Sequence, residues 1–156
     1  MSNTRSRRAP LAPGFAGYTG DFGPHGLQAM IRYDDNSQFG GHTTGSLGYG
    51  YRVNDAWRLR ATAGTAFHAP TFNDLYYPLF GNPDLEAERS KSFDVGADWH
   101  AGPQTFSATY FQNRISDLIV FDLATFLPEN LATARIRGGE FKYQGNCARH
   151  RDPVRS

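Results

Sequence analysis

The chain has 156 residues with 16 Lys and Arg against 15 Asp and Glu, and a net charge of +1 names neither an acidic nor a basic partner for the molecule as a whole. A single cysteine, Cys147, excludes an internal disulfide, and no run of about eighteen apolar residues exists that would span a bilayer as a helix. With 39% hydrophobic and 14% aromatic residues, the composition fits a β-barrel wall and a water-soluble β-sandwich equally, so the pattern along the chain has to decide.

Arg5, Arg7 and Arg8 make a basic start, but Ala9 to Gly20 holds two prolines and three glycines where a secretory signal would carry an apolar stretch. Residues 1–13 are therefore expected to be disordered or an accidental start. A first strand-like run, Gly14 to Gly20, is glycine-rich and ends in the short turn Asp21 to His25. Leu27, Ala29, Ile31 and Tyr33 then alternate with Gln28, Met30, Arg32 and Asp34, which is the period of two that a strand requires. A long loop is expected at about Asp35 to His42, then a run Thr43 to Tyr51 offering Leu47, Tyr49 and Tyr51, then the short turn Arg52 to Asp55.

The fourth run is the clearest. Trp57, Leu59, Ala61, Ala63, Thr65 and Phe67 make one face, opposed by Arg58, Arg60, Thr62, Gly64 and Ala66. A second long loop, about His68 to Glu88, leads to Phe93, Val95, Ala97 and Trp99 opposite Ser92, Asp94, Gly96 and Asp98. After the short turn His100 to Pro103, Phe106, Ala108 and Tyr110 continue the apolar face. A third long loop is expected at about Asn113 to Asn130, followed by Ala132 to Tyr143, where alternation is blurred.

Short turns thus alternate with long loops between seven half-apolar strands. A barrel inserted in the outer membrane has that asymmetry, with tight periplasmic turns, long extracellular loops, a lipid-facing apolar side and a wet interior. The fold class read from the residues is all-β, part of a transmembrane antiparallel β-barrel occupying residues 14–143. The alternative is a soluble all-β module whose loops recognise a ligand. Tyr51, Trp57 and Trp99 lie beside short turns, where Trp and Tyr collect at a membrane interface because their apolar bodies and polar tips are both satisfied. At the opposite rim, Tyr76, Tyr77, Phe80 and Asn82 are the candidate ligand-binding residues of the second long loop.

Catalysis finds no footing. His25, His42, His68, His100 and His150 show no zinc-ligand spacing, and Asp34-Asp35-Asn36 lacks the spacing of a calcium loop. Gly45 to Gly50 lies inside an alternating strand with no helix to follow, so it fails as a phosphate loop. No enzyme, cofactor or metal site is expected. Lys142, Arg149, Arg151 and Arg155 give a basic finish; without an aromatic platform neither basic end reads as a nucleic-acid arm.

Within the second loop, Ala63 to Tyr76 followed by Gly81 to Gly96 carries a longer motif. A strand ends in Pro70-x-x-x-x-Leu75-Tyr76, then come Gly81-Asn82-Pro83-x-Leu85 and Glu88-Arg89-Ser90-Lys91. With Tyr110 to Ile119 and Asn130 to Glu140 in the same order, the chain from Phe15 to Glu140 resembles the barrel of TonB-dependent outer-membrane receptors, most of all those for cobalamin (vitamin B12). The resemblance implies a wall of about 22 strands around a separate plug domain, of which this chain would supply about seven. It also implies partners: outer-membrane lipid, a TonB complex reached through the plug, and a scarce nutrient, cobalamin or an iron chelate. No segment matches a plug. After Tyr143 the alternation ceases, and residues 144–156 are expected to be disordered or frameshifted, leaving a fragment not competent for transport alone.

Overall fold

The computed structural model describes residues 13–145. The expectations for residues 1–12 and 146–156, which include Arg5, Arg7, Arg8, Cys147, Arg149, His150, Arg151 and Arg155, lie outside the described residues.

Alternating sequence becomes one seven-stranded antiparallel meander. Its strands are β1 (Gly14–Phe22), β2 (His25–Asn36), β3 (Gly40–Arg52), β4 (Trp57–His68), β5 (Glu88–Ala101), β6 (Gln104–Asp122) and β7 (Leu127–Gly145), and each neighbour in sequence is the neighbour in space. One helical turn, α1 (Phe72–Tyr76), lies between β4 and β5. Among the described residues β1 and β7 are paired on one side only, so the sheet is open.

Turn chemistry explains the lower rim. Gly23 and Gly102 have φ of 62° and 57°, the positive φ that a two-residue hairpin turn needs at its first central position, and Pro24 and Pro103 follow them. At the third turn the Asn54 side-chain oxygen accepts from the amides of Ala56 and Trp57 at 2.9 and 2.8 Å.

The opposite rim departs from the sequence expectation. Asp35 to His42 is no loop: β2 and β3 stay paired up to Asn36 and Gly40, and the Asn36 carboxamide oxygen accepts from the amides of Gln38 and Phe39 at 2.9 and 3.0 Å. Asn113 to Asn130 is likewise mostly ladder, since β6 and β7 are 19 residues each and part only at residues 123–126. The polar composition of these stretches hides the strands because, above the lipid, both faces of a hairpin meet water and alternation has no cause. The extracellular side is still the longer one, by paired extensions at two positions and by a true loop, residues 69–87, at the third.

The register sorts side chains into two faces. Trp57, Trp99, Phe106 and Tyr143 are successive cross-strand partners, as are Leu59, Ala97, Ala108 and Phe141 in the next row and Ala61, Val95 and Tyr110 above it. The reverse face carries Arg58, Arg60, Asp94, Asp98, Ser107 and Thr109. The apolar face is uncovered. Phe93, Val95, Trp57 and Phe141 are exposed, and no second layer packs on them among the described residues. A soluble sandwich would bury this face against a second sheet. A single sheet with one apolar and one polar face is a barrel wall between lipid and a wet lumen.

Candidate functional site

The only buried hydrophobic residues described are Leu75, Leu85 and Ala87, at 3%, 4% and 8% exposure, and all three belong to the long loop. This loop therefore has its own small core, and Pro70 and Pro128 are buried as well. Pro70 follows the last paired residue of β4, His68, and its missing amide prevents the ladder from continuing. Thr71 then caps α1 reciprocally: its hydroxyl accepts from the Asp74 amide at 3.2 Å, and the Asp74 carboxylate accepts from the Thr71 amide at 2.8 Å.

Past α1 the backbone doubles back. The amides of Gly81 and Asn82 donate to the carbonyls of Tyr77 and Asp74, both at 2.8 Å. A Cβ at Gly81 would stand 2.6 Å from the Tyr77 nitrogen and 2.8 Å from the Leu75 carbonyl, so the fold admits only glycine there without a shift. Two asparagines and one glutamate tie the loop to the β6–β7 hairpin. The Asn82 amide nitrogen donates to the Pro128 carbonyl at 2.9 Å; Asn130 accepts from the Glu86 amide at 2.8 Å and donates to the Glu86 and Asp117 carbonyls; the Glu88 carboxylate accepts from the Ile119 amide at 2.8 Å.

With its base fixed, the loop displays a cluster of exposed aromatic and aliphatic side chains. Phe72 and Tyr76 have ring centroids 5.1 Å apart, and Tyr77 and Phe80 are 6.3 Å apart. Leu79 between them is 91% exposed with φ of 70°, a conformation an L-residue other than Gly, Asn or Asp rarely adopts. The Tyr76 hydroxyl accepts from the Gln38 amide group at 2.9 Å, bringing the β2–β3 turn against the loop.

Facing the lumen below is a polar crossing. Arg60 on β4 pairs with Gly96 on β5, which pairs with Thr109 on β6. The Arg60 guanidinium lies across Gly96, donates to the Asp98 carboxylate on one side and reaches the Thr109 hydroxyl on the other. A Cβ on residue 96 would meet Arg60 at 3.0 Å, so the glycine opens the path. Among the described residues no three His, Cys, Asp or Glu side chains converge as a metal site would require.

An apolar-outside, polar-inside sheet is the design of a barrel wall, and comparison with known proteins names the barrel. The family model described as "TonB dependent receptor-like, beta-barrel" matches residues 2–150. The chain belongs to the TonB-dependent receptor β-barrel family. Among relatives, the vitamin B12 transporter BtuB of Vibrio vulnificus is 40% identical over 119 residues and that of Photobacterium profundum 34% over 121. These alignments take in 74% and 73% of this chain but 19% and 20% of the transporters, so the chain spans about a fifth of the length of the relatives it matches. Of solved structures, the siderophore receptor PirA of Pseudomonas aeruginosa superposes with a TM-score of 0.67 at 29% identity, over 76% of this chain and 24% of PirA. The copper transporter OprC gives 0.72 at 19% identity, over 87% of this chain and 25% of its own, which speaks for the shared fold alone.

In this receptor barrel the structure groups Tyr76, Tyr77 and Phe80 on the exposed loop. The Asn82 side chain, by contrast, has both ends engaged, donating to Pro128 and accepting from the Asp84 amide at 3.0 Å. Trp57 and Trp99 are direct cross-strand partners with centroids 6.3 Å apart, whereas Tyr51 partners Leu59 and stacks on His25 at 4.9 Å. The sequence reading put Phe106 on the apolar face without joining it to the tryptophans and did not single out Tyr143; the two prolong the tryptophan pair at 5.4 and 4.7 Å into a four-strand aromatic row. It also missed Phe72, Leu79 and the Arg60 crossing, although Thr71-x-x-Asp74 was visible as a cap.

Proposed function

We propose that this chain is wall and mouth of an outer-membrane receptor for active uptake of cobalamin, with lipid around it and TonB energising transport through a plug domain. The short turns face the periplasm, and the loop that carries Tyr76, Tyr77 and Phe80 faces the outside. The observation that carries the reading is this loop: a rigid base with an exposed aromatic tip, in a chain 40% identical to a vitamin B12 transporter. Flat aromatic and aliphatic groups offer an apolar surface to the methyl groups of a corrin macrocycle, while Asn82 serves to hold the loop in place. The resemblance to PirA at 29% identity supports a second reading, an iron-siderophore receptor.

Growth of cells that lack their own cobalamin and siderophore receptors, supplied with a full-length receptor gene that contains this chain, separates the two. Rescue on limiting cyanocobalamin is expected. Rescue of ferric-siderophore uptake with none for cobalamin would replace the first reading by the second. The seven strands by themselves are not expected to rescue either, because the outer edges of β1 and β7, unpaired among the described residues, leave backbone groups without partners in lipid.

A further inference from the structure

Above the apolar band, the lipid-facing side of the sheet turns abruptly basic. Lys91 on β5 partners Arg114 on β6, and Arg114 partners Arg135 on β7, so three cations stand in one row across three strands. Arg137 lies on the same face one row below and Arg89 one row above, and all five side chains are exposed. Neighbouring strands are about 4.8 Å apart, and like charges directly opposite one another destabilise a sheet. None of the five makes a salt bridge among the described residues, and their cross-strand partners in the three rows include no carboxylate; Asp117, the acid that lines the groove beside them, leaves the row with a surplus of positive charge.

The height of this row is informative. Lys91 is eight residues from Trp99 along β5, about 26 Å at 3.3 Å per residue before strand tilt. The lipid-facing band of a barrel is about 25 Å tall with an aromatic girdle at its edge. At a strand tilt of about 40° the separation along β5 rises about 20 Å, so with the Trp57–Trp99–Phe106–Tyr143 row at the inner interface the backbone of the basic row lies just inside the outer edge of the band, and the long Lys and Arg side chains reach the head groups from there. The surface is also concave there. The β3–β4 ladder stops at Ser46 and Gly64 although both strands run on, and a groove of about 650 Å³ opens where Thr43 and Thr44 of β3 part from Thr65 and Phe67 of β4, with Arg89, Lys91 and Arg114 along its other wall.

We infer that Arg89, Lys91, Arg114, Arg135 and Arg137 form a binding site for the phosphate-bearing head group of an outer-leaflet lipid. The phosphate oxygens accept charge-assisted hydrogen bonds from the Arg and Lys row while the acyl chains lie on the apolar band below. The inference rests on the outward orientation of the loop rim proposed above, and its occupant is the lipid, not free phosphate.

The test uses the whole chain in dodecyl maltoside micelles, with retention of added lipid counted by native mass spectrometry. The probes are a bis-phosphorylated glucosamine-disaccharide lipid and the same lipid dephosphorylated. The wild type is expected to hold the phosphorylated form about tenfold or more tightly, in keeping with several charge-assisted contacts. Lys91→Gln, Arg114→Gln and Arg135→Gln together should erase that preference, whereas Arg114→Lys with Arg135→Lys should keep most of it and Arg58→Gln on the lumen face should not change it. Equal retention of the two lipids by the wild type, or an unchanged preference in the triple variant, would overturn the site. Displacement of the lipid by millimolar inorganic phosphate would overturn the choice of occupant. If neither lipid is retained and Trp57 and Trp99 emission reports a watery setting, the membrane-wall reading itself fails, and this inference with it.

Discussion

Gly81 and Asn82 show how much of the recognisable motif is construction. Gly81→Ala drives a methyl group into backbone atoms that have no rotamer to give, so the loop must reopen; we expect a loss of about 1–3 kcal/mol in the urea stability of the detergent-solubilised chain. Asn82→Ala removes the donor to Pro128 and the acceptor for Asp84, at a cost of about 2 kcal/mol, and limited proteolysis should then cut within residues 69–87 faster than in the wild type. The exposed tip behaves oppositely. Tyr77→Ala and Phe80→Ala remove no buried contact, so the same unfolding curve should be nearly unchanged; a stability loss matching that of Gly81→Ala would mean that these rings build the loop as well.

At the scale of strands, register carries the consequences. The Arg60–Asp98 pair spans β4 and β5 with the Arg60 side chain 41% exposed, so screening limits its coupling to about 0.2–1 kcal/mol in a double-mutant cycle with Arg60→Gln and Asp98→Asn. Gly96→Val should cost more than either single change, because the branched side chain occupies the path by which Arg60 crosses β5 to Thr109. The aromatic row gives a spectroscopic counterpart. Trp57 and Trp99 are direct cross-strand partners at one rim, so lipids brominated near the head group should quench both, and those brominated near the chain ends should quench both weakly. Strong quenching by the chain-end bromines in either the Trp57→Phe or the Trp99→Phe variant would show that the remaining tryptophan does not lie at the rim the register gives it. These strand-level partners were only partly legible in the chain. Faces were readable from alternation wherever one side meets lipid, as in β4 and β5; where β2, β3, β6 and β7 rise above it, polar residues occupy both faces and the strands look like loops.

For the whole molecule, the apolar side of the sheet is the controlling feature. Phe93, Val95, Leu59, Phe141 and their neighbours are exposed in a single layer, an area that water does not tolerate and lipid or detergent covers. Diluting detergent below its micellar concentration should therefore produce aggregation detectable by light scattering, with β-structure kept in micelles by circular dichroism. A monomeric, β-structured chain in plain buffer would contradict the wall. The edges make a separate prediction. Backbone amides of β1 that point away from β2, and of β7 that point away from β6, should exchange with solvent faster than those of β4, which is paired on both sides.

The amino-acid order by itself determined the strand count, the hairpin turns and which side chains face lipid, because a period of two, a Gly-Pro turn and an apolar face are local properties with local causes. Its motif around Pro70, Gly81 and Asn82 also pointed to the receptor family that comparison then established. Only the tertiary structure decided what those motif residues do, since the bond from Asn82 to Pro128 and that from Glu88 to Ile119 join segments 46 and 31 positions apart. The same holds for the basic row of Lys91, Arg114 and Arg135: each is an ordinary charged residue in its own strand, and only cross-strand register, which no single strand encodes, places them side by side in one row.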